Sequence, residues 1–197
     1  MKVSREQAAE NRERILDAAA QLLRERGFEG IGVADMMKAA GLTHGAFYGH
    51  FSSKEDLIAK ACARTFSRSY ERWSKTAAKM PDDALSSIAR GYLTRRHRDD
   101  PGTGCALAAL GSEIARRGPG VRRAATEGMR SIFNLLTGLV PGKSEAARRQ
   151  KSINAYASLV GAMIMARAVD DAVLSQEILD AVLASVSGSG KSPSALQ

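Results

Sequence analysis

Apolar positions recur along this chain at three- and four-residue intervals, and the recurrence is sustained over long stretches rather than broken into short alternating runs. Ala8, Ile15, Leu16, Ala19, Leu22 and Leu23 lie on one stripe and predict a first helix from about Ser4 to Arg26, with Gly27 as its stop. A short helix is expected from about Val33 to Ala40. Gly41 can take the left-handed conformation that ends it, Leu42 tucks into the turn, and Thr43 suits the N-cap of another short helix reaching His50. Ser52 with Glu55, or Ser53 with Asp56, offers a capping box for a long fourth helix that ends near Lys79, before Pro81. Five more helical stretches follow, at about Asp82 to Arg98, Cys105 to Arg117, Val121 to Leu139, Ser144 to Val169 and Asp171 to Val186. Pro101-Gly102, Gly118-Pro119-Gly120 and Pro141-Gly142 punctuate them. The expectation is an all-α protein of about nine helices, with a disordered tail from 187 to 197 that is rich in Ser, Gly and Pro. Gly190-Lys191-Ser192 resembles the end of a phosphate-binding loop, but Ser185 stands where that motif needs its first glycine and no strand precedes it.

Two short helices around Gly41 form a helix-turn-helix with Met36, Ala40, Leu42, Phe47 and Phe51 facing inward. Thr43, His44, Gly45, Ala46 and Tyr48 then sit at or near the start of the second short helix, the end that enters the major groove in this motif. Charge sharpens the picture locally more than globally. The 197 residues carry a net charge of +8, which favours polyanions as partners without identifying one. From Met36 to Lys54 there is no acidic residue, while Lys38, His44, His50 and Lys54 are all present, so this stretch can approach phosphate. Histidine and tyrosine can each donate to a phosphate or a base edge. Lys54 adds a point charge at a helix start where free amides already favour an anion, or it is a capping lysine on a solvated face.

The run from Gly41 to Leu57, Gly-Leu-Thr-His-Gly-Ala-Phe-Tyr-Gly-His-Phe-Ser-Ser-Lys-Glu-Asp-Leu, closely resembles the helix-turn-helix signature of TetR-family transcriptional repressors. The opening helix ending at Arg26-Gly27-Phe28 fits the same pattern. The resemblance implies an all-helical homodimer with a DNA-binding domain at 1–52, an effector-binding and dimerisation domain at 53–186, and the tail. It implies Thr43, His44 and Gly45 near base edges, and Tyr48, His50 and Lys54 on the DNA backbone. Gly32 departs from it, standing where members usually have a threonine or serine that caps the second helix and touches phosphate. Met37 replaces a usual small residue between the two short helices. Gly104 to Glu113 resembles a branch of the family with a Gly-Cys-x-Leu-Ala-Ala-Leu-Gly-Ser-Glu segment, and Ala166 to Val169 an Ala-Arg-Ala-Val stretch near its end.

Ala155, Ser158, Leu159, Ala162 and Met165, with Ile178 and Val182, form a stripe suited to a four-helix dimer interface, although an internal core helix carries the same stripe. Phe66, Tyr70 and Trp73, with Tyr92, Cys105, Met129 and Phe133, are candidates for an effector pocket or for a filled core. Arg116, Arg117, Arg122, Arg123, Arg148 and Arg149 read as solvated helix ends. Cys62 and Cys105 form neither a zinc cluster nor a CxxC pair, so no structural metal, cofactor or disulfide scaffold is expected. Cys105 opens a helix, a position that favours thiolate, so it is either a sensor thiol or an inert small residue. No run approaches the roughly 18 apolar residues of a membrane span, and no secretory signal opens the chain, so a cytoplasmic protein is expected.

Two functions remain in view. The first is a repressor that binds a pseudo-palindromic operator as a dimer and is released by a small molecule. The second is a small thiol-dependent enzyme using Cys105 with His97 as base, for which three histidines in all and no paired acid are poor equipment.

Overall fold

A computed structural model describes residues 4–188; the expected tail from 189 onward lies outside the described residues. Nine α-helices are present there: α1 (Arg5–Arg26), α2 (Val33–Ala39), α3 (Lys54–Lys79), α4 (Ala84–Tyr92), α5 (Arg95–Asp99), α6 (Ala106–Ile114), α7 (Pro119–Leu139), α8 (Glu145–Ala168) and α9 (Ala172–Val186). Short 3-10 helices occupy His44–Gly49, Pro81–Asp83 and Pro101–Thr103. The described residues contain no strand.

Local chemistry explains most of the boundaries. Ser4 accepts from the Gln7 amide at 3.1 Å to start α1, and Gly27, at φ 75°, ends it in a conformation that other residues avoid. Ser144 and Asp171 cap α8 and α9 in the same way as Ser4 caps α1. The helix expected from Asp82 to Arg98 is two helices instead. Leu93 leaves helical conformation at ψ 64°, and the Thr94 hydroxyl accepts from the His97 amide at 3.1 Å, so a new N-cap interrupts the run.

Cα packing divides the chain into two units. The first comprises the chain up to Ser69 together with Asp100–Arg130, and the second comprises Tyr70–Asp99 together with the chain from Ser131 onward. This division differs from a boundary at residue 52. Leu57, Ile58 and Phe66 of α3, and Leu110 and Ile114 of α6, belong to the same apolar cluster as Ile15, Leu23, Phe28 and Phe47, so the helix-turn-helix has no core of its own.

The second unit is centred on α8, which packs against α9. Leu159 and Ala162 are fully buried inside it, which corrects their assignment to an outward dimer stripe. The physical reason is that α8 is apolar on two sides, and periodicity does not separate them. Leu159, Ala162, Met163 and Ala166 face inward, whereas Ile153, Ile164 and Met165 are exposed, the last by 50%. On α9, Val173 and Leu174 are exposed, while Ile178 and Val182 are half-buried.

Candidate nucleic-acid interface

The turn is built as its residues require. Gly41 sits at φ 69°, its amide bonds to the Lys38 carbonyl at 3.0 Å, and the Leu42 amide bonds to Met37 at 2.9 Å, which closes α2. Gly32 caps the start of α2 without a side chain, and its amide donates to Asp35 Oδ2 at 3.0 Å, so Asp35 supplies the reciprocal half of a capping box. Met36 and Met37 are both fully buried, which shows the core accommodating Met37 in place of a small residue. Of the expected inward residues, Met36, Ala40, Phe47 and Phe51 are buried, and Leu42 is half-buried against the same cluster.

The second short helix is a 3-10 helix, His44–Gly49, rather than an α-helix. Gly45 and Gly49 raise the entropic cost of helix formation, and six residues are too few to recover it by propagation. The tighter winding still separates an inner from an outer side. Phe47 stacks on Phe51 with ring centroids 5.9 Å apart, while Tyr48 is 73% exposed and stands edge-on to His44 at 6.2 Å. Thr43, His44 and Gly45 are exposed beside it. These four residues form one polar, aromatic-bearing surface at the start of the segment.

His50 and Lys54 are half-buried and tied into the chain. The His50 carbonyl accepts from Arg12 at 2.9 Å, and the Lys54 ammonium donates to the Phe28 carbonyl at 3.3 Å. An ammonium has three donors, so Lys54 retains two for a phosphate. Ser53 caps α3 by accepting from the Asp56 amide at 3.0 Å, and Asp56 accepts from the Ser52 amide one residue before the cap, so of the two pairs considered Ser53 and Asp56 are the ones engaged, with the return bond shifted by one residue.

Two arginines of α1 that sequence reasoning passed over hold this segment in place. Arg14 donates to the Ala40 carbonyl at 2.6 Å, at the end of α2. Arg12 donates to His50 and lays its guanidinium 4.7 Å from the centre of the Phe51 ring. Only their positions between the apolar residues of the first helix could have pointed to them. Farther along α1, Asp17 and Glu13 pair with Arg64 of α3, and Asp17 also pairs with Arg68 at 2.7 Å. Burial alone would raise the Asp17 carboxyl, but the hydrogen bonds and charges of Arg64 and Arg68 together hold it below the ordinary value.

The expected effector-pocket residues do not gather in one unit. Phe66 and Cys105 are buried in the first unit, and Met129 packs partly against its core. Phe66 fills the space that a side chain at Gly128 would need. In the second unit, Trp73 meets Tyr92 edge-on at 5.9 Å and Tyr156 at 5.7 Å, and Phe133 meets Tyr156 at 5.7 Å. Tyr156, which the sequence reading missed, is therefore the centre of this group, and Tyr70 lies on the surface at 41% exposure. An open cleft of about 300 Å³ in this unit is lined instead by charged residues, including Arg98, Asp99, Arg167 and Asp171. Cys105 is buried in one unit, whereas His97, bonded through Nδ1 to the Tyr92 carbonyl at 2.7 Å, belongs to the other. Arg117 and Arg149 are half-buried rather than solvated ends, each lying over an aromatic ring.

Two short helices joined by a tight turn, with the start of the second exposed, form the arrangement that helix-turn-helix proteins use to enter a DNA groove. Residues 15–61 match the family model of bacterial regulatory proteins, tetR family. Over 85 residues the chain is 36% identical to the HTH-type transcriptional regulator AcrR of Shigella flexneri, a stretch covering 43% of this chain and 40% of AcrR. Over 131 residues it is 26% identical to the HTH-type transcriptional repressor NemR of Escherichia coli (strain K12), covering 65% of this chain and 66% of NemR. The matched stretches thus span less than two thirds of these relatives. The fold is similar to the crystal structure of reduced E. coli NemR, with a TM-score of 0.77 at 24% identity, covering 93% of this chain and 100% of that one. It is also similar to a TetR-family regulator from Agrobacterium tumefaciens, with a TM-score of 0.75 at 22% identity, covering 91% and 98%. Residues 15–61 thus carry the region that matches the tetR family, and the similarity to AcrR spans 85 residues. Both relatives are named as HTH-type transcriptional regulators or repressors.

Proposed function

We propose that this protein represses transcription by binding a pseudo-palindromic operator in the cytoplasm as a homodimer, and that a small molecule releases it. The observation that carries the reading is the exposed surface of Thr43, His44, Gly45 and Tyr48, held on a buried Phe47–Phe51 stack in a stretch without acidic residues. Thr43, His44 and Gly45 read base edges; Tyr48, His50 and Lys54 engage the DNA backbone. In this reading the functional boundary at 52 separates what touches DNA from what does not, although residues on both sides of it, from α1 to α3 and in α6, pack in one core. The resemblance of Gly104 to Glu113 supports membership of the branch that carries this segment.

The dimer face is the exposed side of α8 and α9, with Ala155, Ser158, Ile164 and Met165 on one helix and Val173, Leu174, Ile178 and Val182 on the other. The exposed large apolar residues there favour burial against a second copy. The effector's seat is the aromatic group of Trp73, Tyr92, Phe133 and Tyr156, whose rings an apolar ligand would part. Fluorescence anisotropy against a duplex selected by the protein from a random pool tests the reading. Tyr48→Phe should weaken binding to all duplexes, and His44→Ala should change which duplex is preferred. Equal, weak binding to every duplex would overturn it.

A further inference from the structure

The chain passes from α1 to α2 through Gly27-Phe28-Glu29, and charged side chains from three other places converge on this corner. Glu113, in the last turn of α6, accepts from the Phe28 amide at 2.7 Å. Lys54, the first residue of α3, donates to the Phe28 carbonyl at 3.3 Å. Arg117, beyond α6, pairs with Glu29 at 2.6 Å, stands 4.0 Å from Glu55, and places its guanidinium 4.9 Å from the centre of the Phe28 ring. Phe28 is itself fully buried. Its N–H, its C=O and its ring are thus each held by a different charged group.

The approach of Glu113 requires the glycine before Phe28. Gly27 has φ 75°, and a Cβ there would lie 2.9 Å from the Glu113 carboxylate. A carboxylate bond to a backbone N–H is charge-assisted and stronger than a neutral one. It also satisfies an amide that has left α1 and joins no further helix. From this corner the chain enters α2 at Val33, and α2 carries Met36 and Met37 into the core beneath the 3-10 helix. Displacement of the corner therefore displaces α2 and, with it, Thr43 to Tyr48.

We propose that Glu113 is a positioning residue for DNA recognition: through Phe28, and together with Arg117 and Lys54, it fixes the α1–α2 corner and hence the placement of the base-reading segment. The proposal rests on the DNA-binding reading above. Base-edge contacts demand placement within a fraction of an ångström, whereas phosphate contacts tolerate more movement. Loosening the corner should therefore cost sequence discrimination before it costs affinity for DNA in general.

The test measures the ratio of Kd for a shuffled duplex to Kd for the duplex that the wild-type protein recovers from a random pool. Glu113→Ala should lower this ratio about tenfold, comparable to one misplaced base contact, with the salt dependence of shuffled-duplex binding retained. Glu113→Gln, which keeps an oxygen acceptor, should restore most of it. A purely structural role would reduce the active fraction, scaling both Kd values alike and leaving the ratio unchanged; that result overturns the proposal. Amide exchange gives a second measurement: Phe28 should exchange faster in Glu113→Ala while α1 amides do not, and equal acceleration throughout α1 also overturns it. Should Glu113→Ala fail to fold, Arg117→Met, which keeps an apolar stem over Phe28, should lower the ratio in the same direction; an unchanged ratio again counts against the proposal. If the wild type recovers no preferred duplex, the DNA-binding reading falls and takes the proposal with it. If the wild type selects a duplex that Glu113→Ala discriminates equally well, only the proposal falls.

Discussion

Replacing Arg12 with methionine removes two restraints on the end of the 3-10 helix while keeping an apolar stem of similar length. The first is the hydrogen bond to the His50 carbonyl at 2.9 Å, and the second is the guanidinium 4.7 Å from the Phe51 ring centre. A charge-assisted hydrogen bond contributes about 1.5 kcal/mol at the low end of its range, which suits a half-buried arginine. The half-buried guanidinium over the Phe51 ring adds about 0.5 kcal/mol, the low end of the range for a cation over an aromatic ring. Local opening should therefore become easier by about 2 kcal/mol, or roughly 30-fold. Native-state amide exchange reads this directly, because the His50 and Phe51 amides both bond to the Phe47 carbonyl, at 2.9 and 3.0 Å. Those two amides should exchange roughly 30-fold faster in Arg12→Met, while Ile15 and Ala19 in the core of α1 stay protected. Unchanged exchange at His50 and Phe51, or equal acceleration across α1, would refute the view that Arg12 acts locally on this segment.

Other consequences are simpler to check. Met165→Glu, on the exposed side of α8, should convert a dimer into monomers in sedimentation velocity, and a dimer that persists would move the interface elsewhere. Burial pushes the Cys62 thiol up to about 12, so iodoacetamide at pH 8 should label it only after unfolding; rapid labelling of the native protein would contradict its place in the core. Because Asp17 is held below its ordinary value of 3.8, its contribution to stability is complete above that pH and is lost as pH falls through the lowered value. Asp17→Asn should flatten the acid limb of a stability–pH curve and cost less than about 1 kcal/mol at neutral pH, since solvent screens the pair; an unaltered limb would show that Arg64 and Arg68 do not act on it.

The features legible in the sequence were those set by short-range chemistry. Gly41 adopts the left-handed turn, Ser53 caps α3, and Met36, Phe47 and Phe51 are buried, each decided by neighbours within a few positions. The 3-10 winding of His44–Gly49 was hidden because apolar spacing alone does not distinguish two windings over six residues. Leu159 and Ala162 were placed on the wrong side because α8 is apolar on both. The restraints on the recognition segment were harder still. Glu113 and Phe28 lie 85 residues apart, and Arg12 and His50 lie 38 apart, so no local pattern announces either pair. The candidate effector-pocket residues divided between two units because aromatic content indicates burial, not which rings share a cavity.

In the proposed complex, two copies of the Thr43–Tyr48 surface enter successive major grooves of one operator. Protection of guanine N7 from methylation on the selected duplex, combined with the protein mass bound per duplex, tests it most directly. Two protected patches about 10 base pairs apart, or a multiple of one helical turn, are expected, with two protomers bound and protection lost in His44→Ala. A single patch with one protomer, or protection that is indifferent to His44, would contradict it.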